Sequence, residues 1–519
     1  MTRKEKITLL MLLALAAGLR FHHLDKNSLW YDEAITAIAA RGGMAGVIQH
    51  LTSEGGYHPP LDYLLVSLSL SIHQSDFFER LPSAIEGIAG VFLSFCFGRA
   101  LWGTRFGLAL CLCMAVSPAH VAYSQEGRIY SLFTTTSLAA SYFLVRAIQA
   151  GRSRFWVAYA AALGLCLYSH CYAFYIVIAH CTALLLSALS KGPRNAGDTT
   201  LPGWRIFWVW VLAASAACFL YLPWLAYQVA KTFQYVEGTV LAPISAASPR
   251  SPNKLLGFFN FMLWGWAINP WTGWAPRFYA HHLVSCIFVY PLMILGFMRG
   301  WTAQRWKVIL LACCGILPHL LLYCAVSLKP GFPWNPQYLL PTLPYYMALT
   351  LAGIFSLRAI PGLRPRAALY ATAACLWALL CIELLSITHY FQNYRKENWR
   401  MIGDTLKSMS LPGDGFVVFL SHLQSAVAWY YNAPLEWYEL DDERMFFPSS
   451  LENSFRHPRL WLLMGHIWDT PQWVPYRKFT REKIEERYLR VSQWHCGSDI
   501  ELFLYERKAS PPARGGVLR

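Results

Sequence analysis

The chain has 519 residues, of which 55% are hydrophobic and only 14% are charged, whereas an ordinary soluble protein has about 25% charged residues. This composition excludes an assembly of water-soluble domains. The formal net charge of +15 does not indicate a nucleic-acid partner, because the basic residues stand between apolar runs and not on one face.

Twelve apolar segments, most of them about as long as a membrane-spanning helix, follow one another and end near residue 388. The first begins with basic residues and resembles a signal peptide, but no clean small-residue cleavage site follows, so we expect a retained helix. The segments are 6–21, 60–73, 81–98, 105–122, 129–148, 154–169, 172–190, 204–226, 278–298, 305–327, 337–357 and 367–388.

The placement of Lys and Arg between these segments predicts their orientation. The positive-inside rule puts the five most basic connectors and the N-terminus in the cytoplasm. The alternation is consistent only if segment 60–73, which is too short to cross, forms an interfacial or re-entrant helix. We therefore predict an all-α polytopic protein of the cell (inner) membrane, with about 11 transmembrane helices plus interfacial helices; a count of about 13 is the alternative. The basic connectors are 99–105, 146–154, 191–205, 299–307 and 358–366.

The composition changes after this membrane block. A polar helix is predicted near Asn398, and strand-like apolar runs follow a Pro412-Gly413-Asp414 turn. We predict a small C-terminal α/β soluble domain on the extracytoplasmic side. The predicted domains are 1–390, whose first outward loop is 22–59, then 391–510, and a disordered tail at 511–519.

The first outward loop carries two adjacent carboxylates, Asp32 and Glu33, beside Trp30 and Tyr31. A partly desolvated carboxylate at a membrane surface can act as a general base. An acidic pair in the first turn of a helix also complements the helix dipole without any catalytic role. Both interpretations stay open from the local sequence.

The same loop ends at His58-Pro59-Pro60, where the prolines favour the start of a helix. His58 is a candidate for shaping the site. The histidines of this loop have irregular spacing, so we assign no metal ligands, although a divalent cation as cofactor stays open.

Two further outward elements hold candidate residues. Tyr123, Glu126 and Arg128 lie at a boundary between two crossings, where charged residues are functional candidates by default and Arg presents a donor fork that fits phosphate. Lys329 precedes a proline-rich entry to the next-to-last crossing, at Gln337 and Tyr338. Acids and cations on one side of the membrane suit a phosphate-bearing amphiphilic substrate.

Five motifs together resemble the GT-C membrane glycosyltransferases, and among them the bacterial branch akin to protein O-mannosyltransferases and lipid A aminoarabinose transferase, which is glycosyltransferase 39/83-like. The likeness extends over about residues 1–390. The motifs are Leu29-Trp-Tyr-Asp-Glu-Ala, His58-Pro-Pro-Leu-Asp-Tyr, Arg80-Leu-Pro-Ser-Ala, Ser117-Pro-Ala-His with Tyr123-Ser-Gln-Glu-Gly-Arg-Ile-Tyr, and Gln337-Tyr-Leu-Leu-Pro.

This resemblance implies a glycosyltransferase that moves a sugar from a polyprenyl-phosphate-linked donor to an acceptor hydroxyl on a glycan, lipid or protein, among membrane lipids and without nucleic acid. It implies that Asp32 or Glu33 is the catalytic base and that Arg128, with Tyr123, contacts the donor phosphate. Relatives commonly have Arg-Tyr where this chain has Gln337-Tyr338, and Lys329 is expected to compensate. A polytopic lipid or glycan transporter, or flippase, is the alternative.

Overall fold

Helices form nearly all of the regular structure before residue 393 in the computed structural model. The described residues are 1–53, 58–190, 203–238, 283–328, 336–362, 364–393, 396–419, 423–432, 435–440, 448–465, 474–497 and 500–508. Two compact units are present, one made of Met1–Leu24 with Ala40–Tyr394 and the other of Asp25–Ala39 with Arg395–Arg519.

Most helices before residue 393 follow the predicted apolar segments, but two, at 31–41 and 43–53, lie in the predicted first outward loop, and the first of these two belongs mainly to the second unit. The helices are α1 (Arg3–Phe21), α2 (Tyr31–Arg41), α3 (Gly43–Ser53), α4 (Leu61–Leu70), α5 (Asp76–Trp102), α6 (Thr104–Val116), α7 (Pro118–Ser124), α8 (Tyr130–Ala150), α9 (Ser153–Ser169), α10 (Phe174–Leu189), α11 (Trp204–Gly238), α12 (Tyr290–Ala303), α13 (Arg305–Leu328), α14 (Leu343–Ser356) and α15 (Pro365–Asn393).

Seven helices of the described residues are long and apolar enough to cross a bilayer, or eight if the bent pair α6 and α7 forms one span. The α1, α8 and α9 helices fall outside that set. Helix α4 has 10 residues and is therefore about 15 Å long, half the thickness of a bilayer core. The polytopic helical class is confirmed, and the count of about eleven crossings stays a prediction.

A break between α6 and α7 bends this helix pair by 61°. Pro118 has no N–H, so the carbonyl of Met114, four residues earlier, loses its helical donor. The buried Arg20 of α1 replaces that donor: its Nη2 donates to the Met114 carbonyl at 3.1 Å, and its Nη1 donates to the Ala115 carbonyl at 3.1 Å. The break therefore fixes the end of α7, where the predicted Arg128 motif begins.

Gln125 holds the next turn in place. Its Nε2 donates to the carbonyls of Arg20 and His22, at 3.1 and 2.7 Å, at the C-terminal end of α1. Its Oε1 accepts from the Tyr390 hydroxyl of α15 at 3.1 Å. These bonds satisfy carbonyls that a helix end leaves without intrahelical partners, so Gln125 has a structural role in the motif.

The second unit contains a mixed five-stranded sheet flanked by helices. Its elements after residue 395 are α16 (Trp399–Met409), β1 (Gly415–Val418), α17 (Gln424–Tyr430), β2 (Glu436–Glu439), α18 (Pro448–Ser454), β3 (Arg459–Met464), α19 (Val474–Arg487), β4 (Tyr488–His495) and β5 (Glu501–Arg507). The strand order is β2-β1-β3-β5-β4. Strand β1 pairs in parallel with β2 and β3, while β5 pairs antiparallel with β3 and β4.

Part of the first loop packs with this sheet unit, although the predicted domain boundaries group the loop with the membrane block. The Leu29 N–H donates to the Tyr430 hydroxyl at 2.6 Å, and the Trp399 N–H donates to the Ser28 hydroxyl at 3.1 Å. Such pairings between distant segments cannot be predicted from local hydropathy. The predicted tail at 511–519 lies outside the described residues.

Candidate functional site

The predicted Arg128 motif is buried in the first unit. Arg128 is 6% exposed and Glu126 is 4% exposed, in the turn that connects α7 to α8. The backbone carbonyl of Arg128 accepts from the Ser83 hydroxyl of α5 at 3.3 Å. Gly127 packs so closely on Glu79 that a Cβ atom would overlap the carboxylate. The turn therefore contacts α5 at two points, one turn of that helix apart.

An aromatic cluster connects this motif to the third predicted element. The rings of Tyr123 and Tyr130 are 5.2 Å apart, and those of Tyr130 and Tyr338 are 6.3 Å apart. Gln337 Nε2 donates to the Tyr130 hydroxyl at 3.3 Å. The structure therefore brings Gln337 and Tyr338 together with the Arg128 motif. Lys329, predicted to act with them, lies outside the described residues.

His58 contacts the aromatic cluster by way of His170, a residue that the sequence did not identify as a candidate. Its ring lies 5.6 Å from that of His170, which lies 5.3 Å from Tyr338. His170 is buried between α9 and α10. All three predicted elements of this unit thus meet around His170.

Burial and the charge of Arg128 both shift the pKa values of ionisable groups near the cluster. Burial and, to a smaller extent, the charge of the nearby Arg128 together lower the pKa of His58 to about 3, so His58 is neutral at physiological pH. Burial raises the pKa of the Asp62 carboxyl to about 6, and Arg128 opposes that rise. A buried guanidinium and a buried carboxylate therefore share this region.

Asp62 and Glu86 are two acids that sequence reasoning did not assign to the site. Both carboxylates are buried with no hydrogen-bond partner among the described residues. Asp62 stands four residues after His58, in the first turn of α4. This closeness in sequence could have identified Asp62 as a candidate site residue. Glu86 stands within an apolar run, where an acid is costly and therefore a functional candidate.

The Asp32–Glu33 pair belongs to the second unit, in the first turn of α2. Glu33 is fully buried, accepts from the Trp30 N–H at 3.1 Å and pairs with Lys396 Nζ at 2.8 Å. Lys396 also lies over the Trp30 ring, 5.6 Å from its centroid. Asp32 and Tyr31 are partly exposed. The two acids therefore have different surroundings.

Part of the chain matches a known protein family. A family model described as dolichyl-phosphate-mannose-protein mannosyltransferase matches residues 57–197, the segment that contains His58, Arg128 and His170. No curated protein sequence matches the chain.

Two solved proteins share its architecture. ArnT from Cupriavidus metallidurans is 13% identical in the apo state, with a TM-score of 0.58 over 96% of this chain and 97% of that chain. With undecaprenyl phosphate bound, ArnT is 14% identical, with a TM-score of 0.55 over 96% and 98%. The archaeal oligosaccharyltransferase AglB from Archaeoglobus fulgidus, in complex with an inhibitory peptide and a dolichol-phosphate, is 11% identical, with a TM-score of 0.55 over 98% and 74%. The resemblance is confirmed, and the chain has the fold of the GT-C superfamily of membrane glycosyltransferases.

Proposed function

We propose that this protein transfers a sugar from a polyprenyl-phosphate-linked donor to an acceptor hydroxyl on the extracytoplasmic face of the cell membrane, in cell-envelope glycan, glycolipid or protein glycosylation. The observation that carries the proposal is the buried Arg128, which lies inside the segment 57–197 matched by the mannosyltransferase family and beside the aromatic cluster. The fold is shared with structures that hold undecaprenyl phosphate or dolichol-phosphate.

Arg128 is the proposed phosphate contact. Its guanidinium is always charged and presents donors in a fork that matches phosphate oxygens. In a buried site this charge stabilises the negative charge that develops on the departing phosphate more strongly than it would in water. Tyr123 and Gln337 line the same cluster and are assigned to donor positioning.

Asp32 is the proposed general base, and Glu33 is its positioning neighbour. Glu33 is already committed to Lys396 and to the Trp30 amide, which makes it a poor proton acceptor. Asp32 is partly exposed. Asp32 takes the proton of the acceptor hydroxyl, the oxygen attacks the anomeric carbon, and the polyprenyl phosphate leaves with inversion. General-base catalysis of this kind contributes about 10²–10⁴ in rate.

Two substitutions separate these roles. Asp32→Asn should reduce the rate of transfer by at least about 100-fold with donor affinity unchanged. Arg128→Ala should instead weaken binding of a polyprenyl-phosphate sugar. Both are measured on purified protein by sugar transfer and by donor-binding titration.

Matched controls are an exposed acid and an exposed cation. Asp404→Asn, whose side chain is 67% exposed, and Arg152→Ala, which is also exposed, should change neither quantity. Near-normal transfer by Asp32→Asn would remove Asp32 as the base, and unchanged donor affinity in Arg128→Ala would remove the phosphate role.

A further inference from the structure

Three potential metal ligands meet beside the aromatic cluster. One ligand atom each from His58, His170 and Cys171 lies within 4.8 Å of the others. They come from two separate segments, the one before α4 and the turn between α9 and α10. Imidazole nitrogen and thiolate sulfur are ligands that Zn²⁺ and related transition metals prefer.

The spacing of the adjacent pair fits one metal ion. His170 Nδ1 and Cys171 Sγ are 3.7 Å apart. A tetrahedral Zn²⁺ with a Zn–N bond of about 2.1 Å and a Zn–S bond of about 2.3 Å holds these two atoms about 3.6 Å apart. The pair needs almost no movement to share an ion.

The backbone around the pair can accommodate that ion. His170 Nδ1 accepts from the Tyr172 N–H at 3.0 Å, and an ion on Nδ1 would displace this bond. The Tyr172 amide also reaches the Cys171 sulfur, so it can donate to the thiolate instead. Hydrogen bonds to a ligand from its surroundings are usual in metal sites.

His58 supplies the third ligand. Its Nδ1 is buried and has no hydrogen-bond partner among the described residues. A buried polar atom in that state is destabilising, and a bond to a metal ion would remove this cost.

The charge of the cluster also suits a cation. Arg128 disfavours one, but the buried carboxyl groups of Asp62 and Glu86, which have no hydrogen-bond partner among the described residues, oppose that effect when they are ionised. A metal ion displaces the proton of a cysteine ligand when it binds, so the Cys171 thiolate would offset part of the charge of a divalent cation.

We propose that His58, His170 and Cys171 bind a divalent transition metal, with Zn²⁺ as the first candidate. Three protein ligands leave one tetrahedral position open for water or a substrate oxygen. The site ties the segment before α4 to the turn after α9. This inference stands independently of the proposed sugar transfer.

The test uses the full-length protein, purified in detergent, treated with a chelator and titrated with ZnCl₂. Wild-type protein should bind one Zn²⁺ per chain, and its apparent melting temperature should rise on binding. Co²⁺ in place of Zn²⁺ should give a thiolate charge-transfer absorption. Cys171→Ser should abolish that absorption and weaken Zn²⁺ binding by at least about 100-fold, a loss that exceeds the 10–100-fold effect of a residue outside the ligand set.

The control variants replace a cysteine and a histidine that lie outside the three proposed ligands. Cys181→Ser, on α10, and the exposed His73→Ala should bind Zn²⁺ as the wild type does. Wild-type protein that takes up no Zn²⁺ overturns the proposal whether or not the variants fold. Equal Zn²⁺ affinity in wild type and Cys171→Ser also overturns it, since the ion would then bind elsewhere.

Discussion

At the residue scale, the ion pair between Glu33 and Lys396 is the most consequential contact of the second unit. The side chains are 0% and 7% exposed, so the two charges compensate each other away from water. Burying a charge is costly, and removing one partner of such a pair leaves the other unpaired. The pair connects residues that are far apart in sequence and fixes the first turn of α2.

Lys396→Met should therefore destabilise the protein by about 3–5 kcal/mol, because Glu33 remains buried without its cation. The measurement is the apparent melting temperature in detergent. Glu33→Gln/Lys396→Met should recover much of the loss, since neither charge is then left alone. A melting temperature unchanged in Lys396→Met, or a double variant no better than the single one, contradicts the assignment.

Asp62 makes stability depend on pH. Its folded-state pKa of about 6 lies above the ordinary value of 3.8, so the fold binds the proton more tightly than the unfolded chain does. The stabilising contribution is full below about pH 4 and is lost as the pH rises through 6. A shift of about two units corresponds to about 3 kcal/mol.

Asp62→Asn should remove this dependence. In chelator-treated protein, the variant should melt at a higher temperature than the wild type at pH 8 and at the same temperature at pH 4. The exposed-site variant Asp404→Asn serves as control and should follow the wild type at both values. Equal melting of Asp62→Asn and wild type at pH 8 would show that ionised Asp62 is well solvated or paired.

At the element scale, α5 and α7 approach each other closely through Gly87. A Cβ atom at this position would overlap the Ser124 side chain and reach the Arg20 guanidinium. Small residues allow such close approach between membrane helices. Arg20 also satisfies the carbonyls at the break between α6 and α7, so the two contacts support the same bend.

Gly87→Ala should destabilise the first unit by about 1–3 kcal/mol through overpacking. Gly164→Ala provides a matched control, because Gly164 lies within helix α9 and a Cβ atom there would meet nothing within 4 Å. That change should stabilise by about 0.5–1 kcal/mol through helix propensity. Thermal unfolding of both variants checks the difference in sign, and a stabilised Gly87→Ala would show that the contact can relax.

At the scale of the whole molecule, hydropathy predicts the helical segments because each apolar run is a local property. The strand-like runs predicted at 416–420, 460–464 and 502–505 overlap β1, β3 and β5 for the same reason. Strands β2 and β4 were missed, since Glu436–Glu439 and Tyr488–His495 have no continuous apolar run.

The candidate site was predicted only in part. Motif residues such as Arg128 and Gln337 could be identified from type and spacing. Lys396 could not be paired with Glu33, because 363 positions separate them. His170 and Cys171 stand inside an apolar stretch and acquire their neighbours only when the helices pack.

The central claim is that this chain consumes a polyprenyl-phosphate-linked sugar. Purified protein should be incubated with a panel of such donors, an acceptor glycolipid or peptide, and with Asp32→Asn in parallel. At least one donor should release polyprenyl phosphate and transfer its sugar with inverted anomeric configuration in the wild type alone. Equal turnover by Asp32→Asn, or flipping of an intact donor across vesicle membranes without release of any polyprenyl phosphate, would contradict the account.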